Sequence, residues 1–376
     1  MNEHHDKMAT ADPSAASDNV RESASTEAAS RIPVSEAARS ADNTRLQSFS
    51  DVPQPPAAPA APSTGNSLVD KTLREVIRTV EAKEHEPPAE SSTQPLPLHE
   101  GLHGKVAVIT GGAGVLCRAM ALELAHQGCH IAILNRTVEK GEQLAEEIRS
   151  LGVQAIAVGC DVTREDSVIL AETTVTTQLG PCDILINGAG GNHPDANTSE
   201  ERFREADLDD ELKKTFYDIK IDGFRQVLDL NMTGTLIPTQ VFSRNMIDRP
   251  GATVINISSM SAFAPMTKVP AYSAAKAAIN NFTQWLAVHF ADAGIRVNAI
   301  APGFFLTAQN EKLLKNDDGS LTARSEKILA HTPMRRFGVP QDLLGTLLWL
   351  ADPHTSGFVT GIVVPVDGGF MAYSGV

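Results

Sequence analysis

Beyond residue 100 the chain alternates short, unbroken apolar runs with longer stretches whose apolar residues recur every three or four positions. KVAVIT (105–110) is apolar after a polar start, which predicts a parallel strand covered on both faces. HIAILN (130–135), QAIAVGC (154–160), DILIN (183–187), ATVINIS (252–258), IRVNAIA (295–301) and GIVVPVD (361–367) repeat the pattern. Helical spacing fills 115–127, which Gly128 ends, then the charged stretch 138–150 and a run to about Gln178. Strands separated by helices in this way require right-handed crossovers. The predicted fold is α/β: a single doubly wound, Rossmann-type domain over 101–376 with a seven-stranded parallel sheet.

Ahead of residue 101 the pattern stops. Residues 1–100 hold 11 of the 22 prolines and one of the 18 aromatic residues, Phe49. A segment so poor in large apolar side chains cannot offset its ordering entropy, so a disordered Ala/Ser/Pro/Glu-rich arm is expected. VPQPPAAPAAP (52–62) favours an extended polyproline spacer. Residues 67–84 place Leu68, Leu73, Val76, Ile77 and Val80 near one helical face, which predicts a short helix within the arm.

Composition narrows the function. The net charge is −14 and the pI near 5.2, with no basic cluster, so neither nucleic acid nor an anionic membrane is an expected partner. No stretch approaches a bilayer span, the N-terminus has no secretory or transit pattern, and a cytoplasmic location is expected. Cys117, Cys129, Cys160 and Cys182 have neither zinc nor redox-pair spacing and read as small apolar residues in a reducing compartment. No metal is expected.

The first strand runs into Thr110-Gly111-Gly112-Ala113-Gly114-Val115-Leu116-Cys117. Glycines at such a turn let backbone approach a pyrophosphate, which then rests on the N–H groups of the helix start. Further along the chain stands Tyr272-Ser273-Ala274-Ala275-Lys276, with Ser259 thirteen residues upstream. Tyrosine and lysine four apart share a helical face, so the ammonium can sit beside the phenol. A tyrosine that ordinarily titrates near 10 needs about 4 kcal/mol of help to reach neutrality, at roughly 1.4 per unit. A neighbouring lysine charge together with a cationic cofactor is expected to favour the phenolate.

With these motifs the chain resembles the short-chain dehydrogenase/reductase family over nearly all of 102–376. Thr110 and Gly111 match the family's TGxxxGxG pattern; Val115 and Cys117 stand where it has its later glycines, and Gly114 falls one place early. Asp161-Val162 matches the family's adenine-binding position, and Asn187-Gly188-Ala189-Gly190 its NAG motif. Pro302-Gly303, with Phe305 and Thr307, matches the segment that cups a nicotinamide, and Asn231 in LDLNMTG the asparagine of the fourth long helix. The resemblance implies that Ser259 polarises a carbonyl, Tyr272 is the acid–base, Lys276 tunes it and binds the ribose, and Asn231 holds a proton-relay water. It also implies an NAD(P)H cofactor and a homodimer or homotetramer.

Asn135-Arg136 ends the second strand without the acid that repels a 2′-phosphate, which tips the expectation towards NADPH with use of both cofactors left open. Several segments, among them GAGGNHPDANT, APGFFLTAQN and HTPMRRFG, are similar to the family's D-mannonate oxidoreductase (fructuronate reductase) branch. That implies reduction of the C5 ketone of D-fructuronate to D-mannonate. The 44-residue span before Asn231 is long for the family and should carry substrate information. Lys268 is the first candidate for a substrate carboxylate, with Asn192, His193, Gln309 and Asn310 as further polar contacts. Arg335 and Arg336 are expected to organise the loop before the last helix, and Trp285 and His289 to be core or subunit interface. Two other readings stay open here: a sugar-acid or polyol dehydrogenase of the gluconate 5-dehydrogenase type, and a catalytically silent dinucleotide-binding scaffold.

Overall fold

A computed structural model of the chain describes residues 96–307 and 311–375. The predicted helix at 67–84, and Gln309 and Asn310, lie outside the described residues. Seven parallel strands stand in the order β3-β2-β1-β4-β5-β6-β7. They are β1 (Val106–Thr110), β2 (His130–Asn135), β3 (Ala155–Gly159), β4 (Ile184–Asn187), β5 (Thr253–Ile257), β6 (Arg296–Pro302) and β7 (Val363–Val366). Six lie within the apolar runs that predicted them, and β6 runs one residue past its run, to Pro302. The chain reverses its direction of sheet growth after β3, so the crevice between the C-terminal ends of β1 and β4 is where a ligand would enter such a sheet.

Alternate strand residues feed two cores. On one face Ile109, Ile131, Ile133 and Ile186 pack under α1 (Val115–His126) and α2 (Val138–Arg149). On the other Val108, Leu134, Leu185 and Val254 pack under α3 (Glu165–Gln178) and the helices that follow. The helix expected around Asn231 is not continuous. It runs as α4 (Ile221–Leu228), a π-helical turn (Asp229–Thr233) and α5 (Gly234–Phe242). The long helix α6 (Pro270–His289) follows β5, and the short α7 (Glu311–Leu314) and α8 (Ala323–Ala330) follow β6. The apolar helix α9 (Leu344–Ala351) closes the first face before β7.

One expectation about side chains changes and another holds. Trp285 is 55% exposed and so is not core. Its ring stacks on His289 with centroids 4.6 Å apart, because the helical spacing that aligns them points outward from the buried Leu286. Arg336 does organise its loop: it donates to both carboxylate oxygens of Asp342, whose Oδ2 also accepts the Val339 N–H. Among the described residues no helix is long and apolar enough to cross a membrane, and no cluster of His, Cys, Asp and Glu could hold a metal ion. The four cysteines are free and buried; burial pushes Cys117 and Cys129 up to about 12 and Cys160 to about 11.

Candidate active site

A cavity of about 630 Å³ opens along the C-terminal ends of the strands. The β1–α1 turn forms its floor. Gly111 has φ +64, and a Cβ there would lie 3.0 Å from the Ala189 backbone, so the turn needs glycine. Gly114 caps α1, and Val115 and Leu116 present the helix start to the cavity. Those free N–H groups and the helix dipole suit an anionic pyrophosphate.

Supports stand behind this floor. Thr110 and Gly112 do not line the cavity. Thr110 Oγ1 accepts the N–H groups of Gly188 and Ala189, each at 3.1 Å, and so stitches the end of β1 to that of β4. A Cβ at Gly112 would press on Ile109 O at 3.0 Å and on Ile133. Cys117, at the family's last glycine position, fills the gap behind Gly188, where a Cβ would overlap its sulfur. Asn187 is also buried away from the cavity, donating to Thr239 Oγ1 and Asn256 Oδ1, both at 2.9 Å.

At the β2 end Asn135 Oδ1 accepts the Ala113 N–H at 2.9 Å, so this side chain braces the turn. Arg136 lines the cavity here, joined by Thr137 and Lys140, which sequence reading missed because α2 simply looked charged. Val162 lines the wall, whereas Asp161 turns back onto Thr163, whose hydrogen bonds hold its carboxyl below the usual carboxylate range.

At the far end Gly188, Ala189, Ser259, Tyr272 and Lys276 converge, with Pro302, Gly303, Phe305 and Thr307 opposite. The Lys276 Nζ donates to Ile257 O at 2.8 Å and lies 5.6 Å from the centroid of the Tyr272 ring. Burial lowers the ammonium to about 8. Among the protein's own groups, burial raises the Tyr272 phenol, and a hydrogen bond with Ser259 only partly draws it back. Desolvation of the phenolate outweighs the help the protein's own groups give. Asn231 is buried in the π turn, its Nδ2 donating to Gly191 O at 2.7 Å and to Val227 O at 2.8 Å. A Cβ at Gly190 would lie 2.7 Å from Asn231 Oδ1 and 3.3 Å from Lys276 Nζ, so the glycine lets the strand end close over both.

The polar candidates for substrate are less direct. Asn192 Nδ2 donates to Asn197 Oδ1, and His193 Nδ1 accepts the Asp195 N–H, so both brace the loop after Gly191. Lys268 does not line the cavity. It sits in the left-handed region at φ +70, two residues before α6, and its carbonyl accepts the Thr198 N–H at 3.0 Å. Sequence spacing alone gave no sign of that strained backbone.

A cavity with a glycine-turn floor, a helix start and a Ser–Tyr–Lys cluster fits a nicotinamide dinucleotide beside a carbonyl. The short chain dehydrogenase pattern matches residues 105–318, and the chain belongs to this family. An uncharacterized oxidoreductase of Bacillus subtilis (strain 168), UxuB, is 60% identical over 281 residues, 75% of this chain and 100% of the relative. A crystal structure of a candidate D-mannonate oxidoreductase from Haemophilus influenza with bound NAD is 50% identical, with TM-score 0.71, covering 73% of this chain and 98% of that one. The 2-dehydro-3-deoxy-D-gluconate 5-dehydrogenase of Escherichia coli (strain K12) is 33% identical over 273 residues, 72% of this chain and 97% of the relative. The chain is thus an oxidoreductase of this family. The expected tilt towards NADPH finds no support in the Haemophilus relative, which carries NAD.

Proposed function

We propose that the protein reduces the C5 ketone of D-fructuronate to D-mannonate, reversibly, using NADH or NADPH. The observation that carries the chemistry is the convergence of Ser259, Tyr272 and Lys276 at one end of a cavity whose other parts fit a dinucleotide. The likeness to the Haemophilus relative carries the substrate. A dinucleotide held in this cavity would supply the hydride for the ketone carbon. Ser259 Oγ–H donates to the ketone oxygen and stabilises the charge that develops there. Tyr272 gives that oxygen its proton, and its raised phenol is protonated at neutral pH, as an acid must be. Lys276 holds the β5 end through Ile257 O and places a positive charge by the phenol. Asn231 fixes the Gly190–Gly191 backbone beside both.

Arg136 and Lys140 border the β2 end of the cavity with no acid to repel a 2′-phosphate, which supports use of NADP as well as NAD. The working protein is read as a cytoplasmic homodimer or homotetramer, with the outward Trp285–His289 stack as part of its interface. NADH and NADPH oxidation at 340 nm with D-fructuronate, run beside Tyr272→Phe, tests the assignment. The variant should lose about 10²–10⁴ in turnover. A wild-type protein silent with both cofactors would refute the substrate. Turnover of 2-dehydro-3-deoxy-D-gluconate or 5-keto-D-gluconate instead would favour the gluconate-type alternative, which the similarity to that Escherichia coli relative keeps in view.

A further inference from the structure

Between Gly191, which lines the cavity, and the start of α4 the chain runs through the long insert. Residues 199–214 close on themselves within it. The Ser199 N–H donates to Lys214 O at 2.8 Å and the Lys214 N–H to Ser199 Oγ at 2.9 Å, so the two ends of the loop are pinned together. Inside, the buried Asp207 accepts the Arg204 N–H at 3.1 Å and pairs with Lys213 Nζ at 2.7 Å. Just beyond, Asp218 Oδ2 accepts both the N–H and the Oγ1–H of Thr215 at 2.8 Å, which fixes the turn that carries Phe216 and Tyr217. A loop of this size, closed on its own side chains, keeps a definite shape.

What that shape presents to water is apolar. The Tyr217 ring meets the Phe203 ring edge-on at 5.8 Å and the Phe216 ring at 5.7 Å, yet Phe203, Phe216 and Tyr217 are 53, 69 and 71% exposed. Leu208 and Leu212 are exposed on the same loop. The three rings alone leave about 400 Å² of contiguous surface uncovered, which marks an interaction site. A stable interface takes about 800 Å² from each partner, a little over half of it apolar, so the rings supply nearly the whole apolar centre. The charges beside them carry both signs. Arg202 and Arg204 flank Phe203, and Asp209 and Glu211 come shortly before Leu212. All four are exposed, and among the described residues none of them forms an ion pair. With −14 on the chain, two copies repel at long range, and an acidic partner surface needs bases to meet it. A two-fold axis through the rings sets the basic end of one loop against the acidic end of the other. We propose that this loop is a self-association surface, packing against the same loop of a second copy with the rings at the centre and the charged ends paired across the axis. It is a surface separate from the Trp285–His289 stack on α6, and it holds whichever substrate the enzyme takes.

Sedimentation of the full chain at micromolar concentration tests this with two charge-reversed proteins, Arg202→Glu/Arg204→Glu and Asp209→Lys/Glu211→Lys, each alone and then mixed in equal amounts. In either protein alone the opposed ends of two copies carry like charge, which should weaken association at least about tenfold and halve the sedimenting mass. In the mixture an acidic loop meets a basic one, and the wild-type mass should return. Only folded proteins can restore it, so a misfolded variant does not imitate that result. Adding Phe203→Ser and Tyr217→Ser to both proteins removes the apolar centre and should abolish the recovery. A sedimenting mass that neither charge reversal changes overturns the proposal, and is what a loop serving a different protein would give. A mixture that stays dissociated, or a wild-type chain that sediments as a monomer, overturns it as well.

Discussion

Lys276→Met should cost the protein its activity and leave it more stable near neutrality than at high pH, relative to wild type. The Lys276 ammonium ordinarily titrates at 10.5, and burial pulls it down to about 8. Between those values the unfolded lysine keeps a proton that the folded one has lost. The unfolded state then binds more protons, so wild-type stability rises with pH across that window and is lowest below about 8. Methionine has no such dependence. Integrated from pH 7 to pH 9.5, wild type should gain about 2 kcal/mol on the variant, at roughly 1.4 per unit over the part of the window covered. The methionine also leaves Ile257 O without the Lys276 donor at 2.8 Å, a loss of about 1–3 kcal/mol that offsets part of the gain at pH 7. That loss is the same at both pH values, so it cancels in the difference. Urea unfolding of both proteins at matched concentration, at pH 7 and pH 9.5, measures the gap directly. An equal gap at the two pH values would refute the idea that burial holds Lys276 near 8.

Three other outcomes follow from the same geometry. Gly188→Ala should destabilise by about 1–3 kcal/mol because the new methyl overlaps Cys117 Sγ and lies 2.9 Å from Thr110 O; combining it with Cys117→Gly should return part of that loss in a double-mutant cycle, and strict additivity would contradict the packing. Because burial raises the Tyr272 phenol, ketone reduction should be flat from about pH 6 to 8, while alcohol oxidation, which needs the phenolate, should climb through the same range; pH profiles of kcat in the two directions check this. Deleting residues 1–97 should leave turnover within about tenfold, roughly 1.4 kcal/mol of barrier, since the Bacillus relative matches over its whole length with 281 residues; a larger loss would tie the arm to the active site.

The sheet was readable in the sequence because parallel strands buried on both faces leave continuous apolar runs, and all seven strands fall on such runs, β6 reaching one residue further. Ser259, Tyr272 and Lys276 were readable because their chemistry needs fixed spacings on a strand end and a helix. What escaped depends on contacts between segments distant along the chain. Lys140 faces the cavity only because Gly141 lets α2 approach Ala157 on β3 closely. Thr110 and Asn187 look like ligand residues by position, yet Thr110 Oγ1 is taken up by the N–H groups that follow β4 and Asn187 Nδ2 by Thr239 and Asn256. The break in the helix at Asp229–Thr233 leaves no mark in LDLNMTG that an unbroken helix would lack. The upward pull of burial on Tyr272 escaped for a similar reason: spacing shows the lysine nearby, whereas burial depends on everything packed around it.

Those same burials explain how the site can be both unfavourable and fixed. Lys276 gives up water for a single carbonyl, the Tyr272 phenolate is disfavoured, and Ser273 Oγ and Asn187 Oδ1 find no partner among the described residues. Each of these works against folding, and all lie on α6 or beside the ends of β4 and β5. They persist because the apolar residues of β4, β5 and α6 beneath them are close-packed, with Leu185, Val254 and Leu286 almost wholly buried. A substitution that relieves the site, such as Lys276→Met, should therefore stabilise where it disarms. One that loosens the packing below, such as Val254→Ala, should lose stability without shifting the pH dependence of either reaction direction. If Val254→Ala instead moved the pH profile while the fold held, the protonation of Tyr272 would be set by the packing beneath the site as well as by its immediate surroundings.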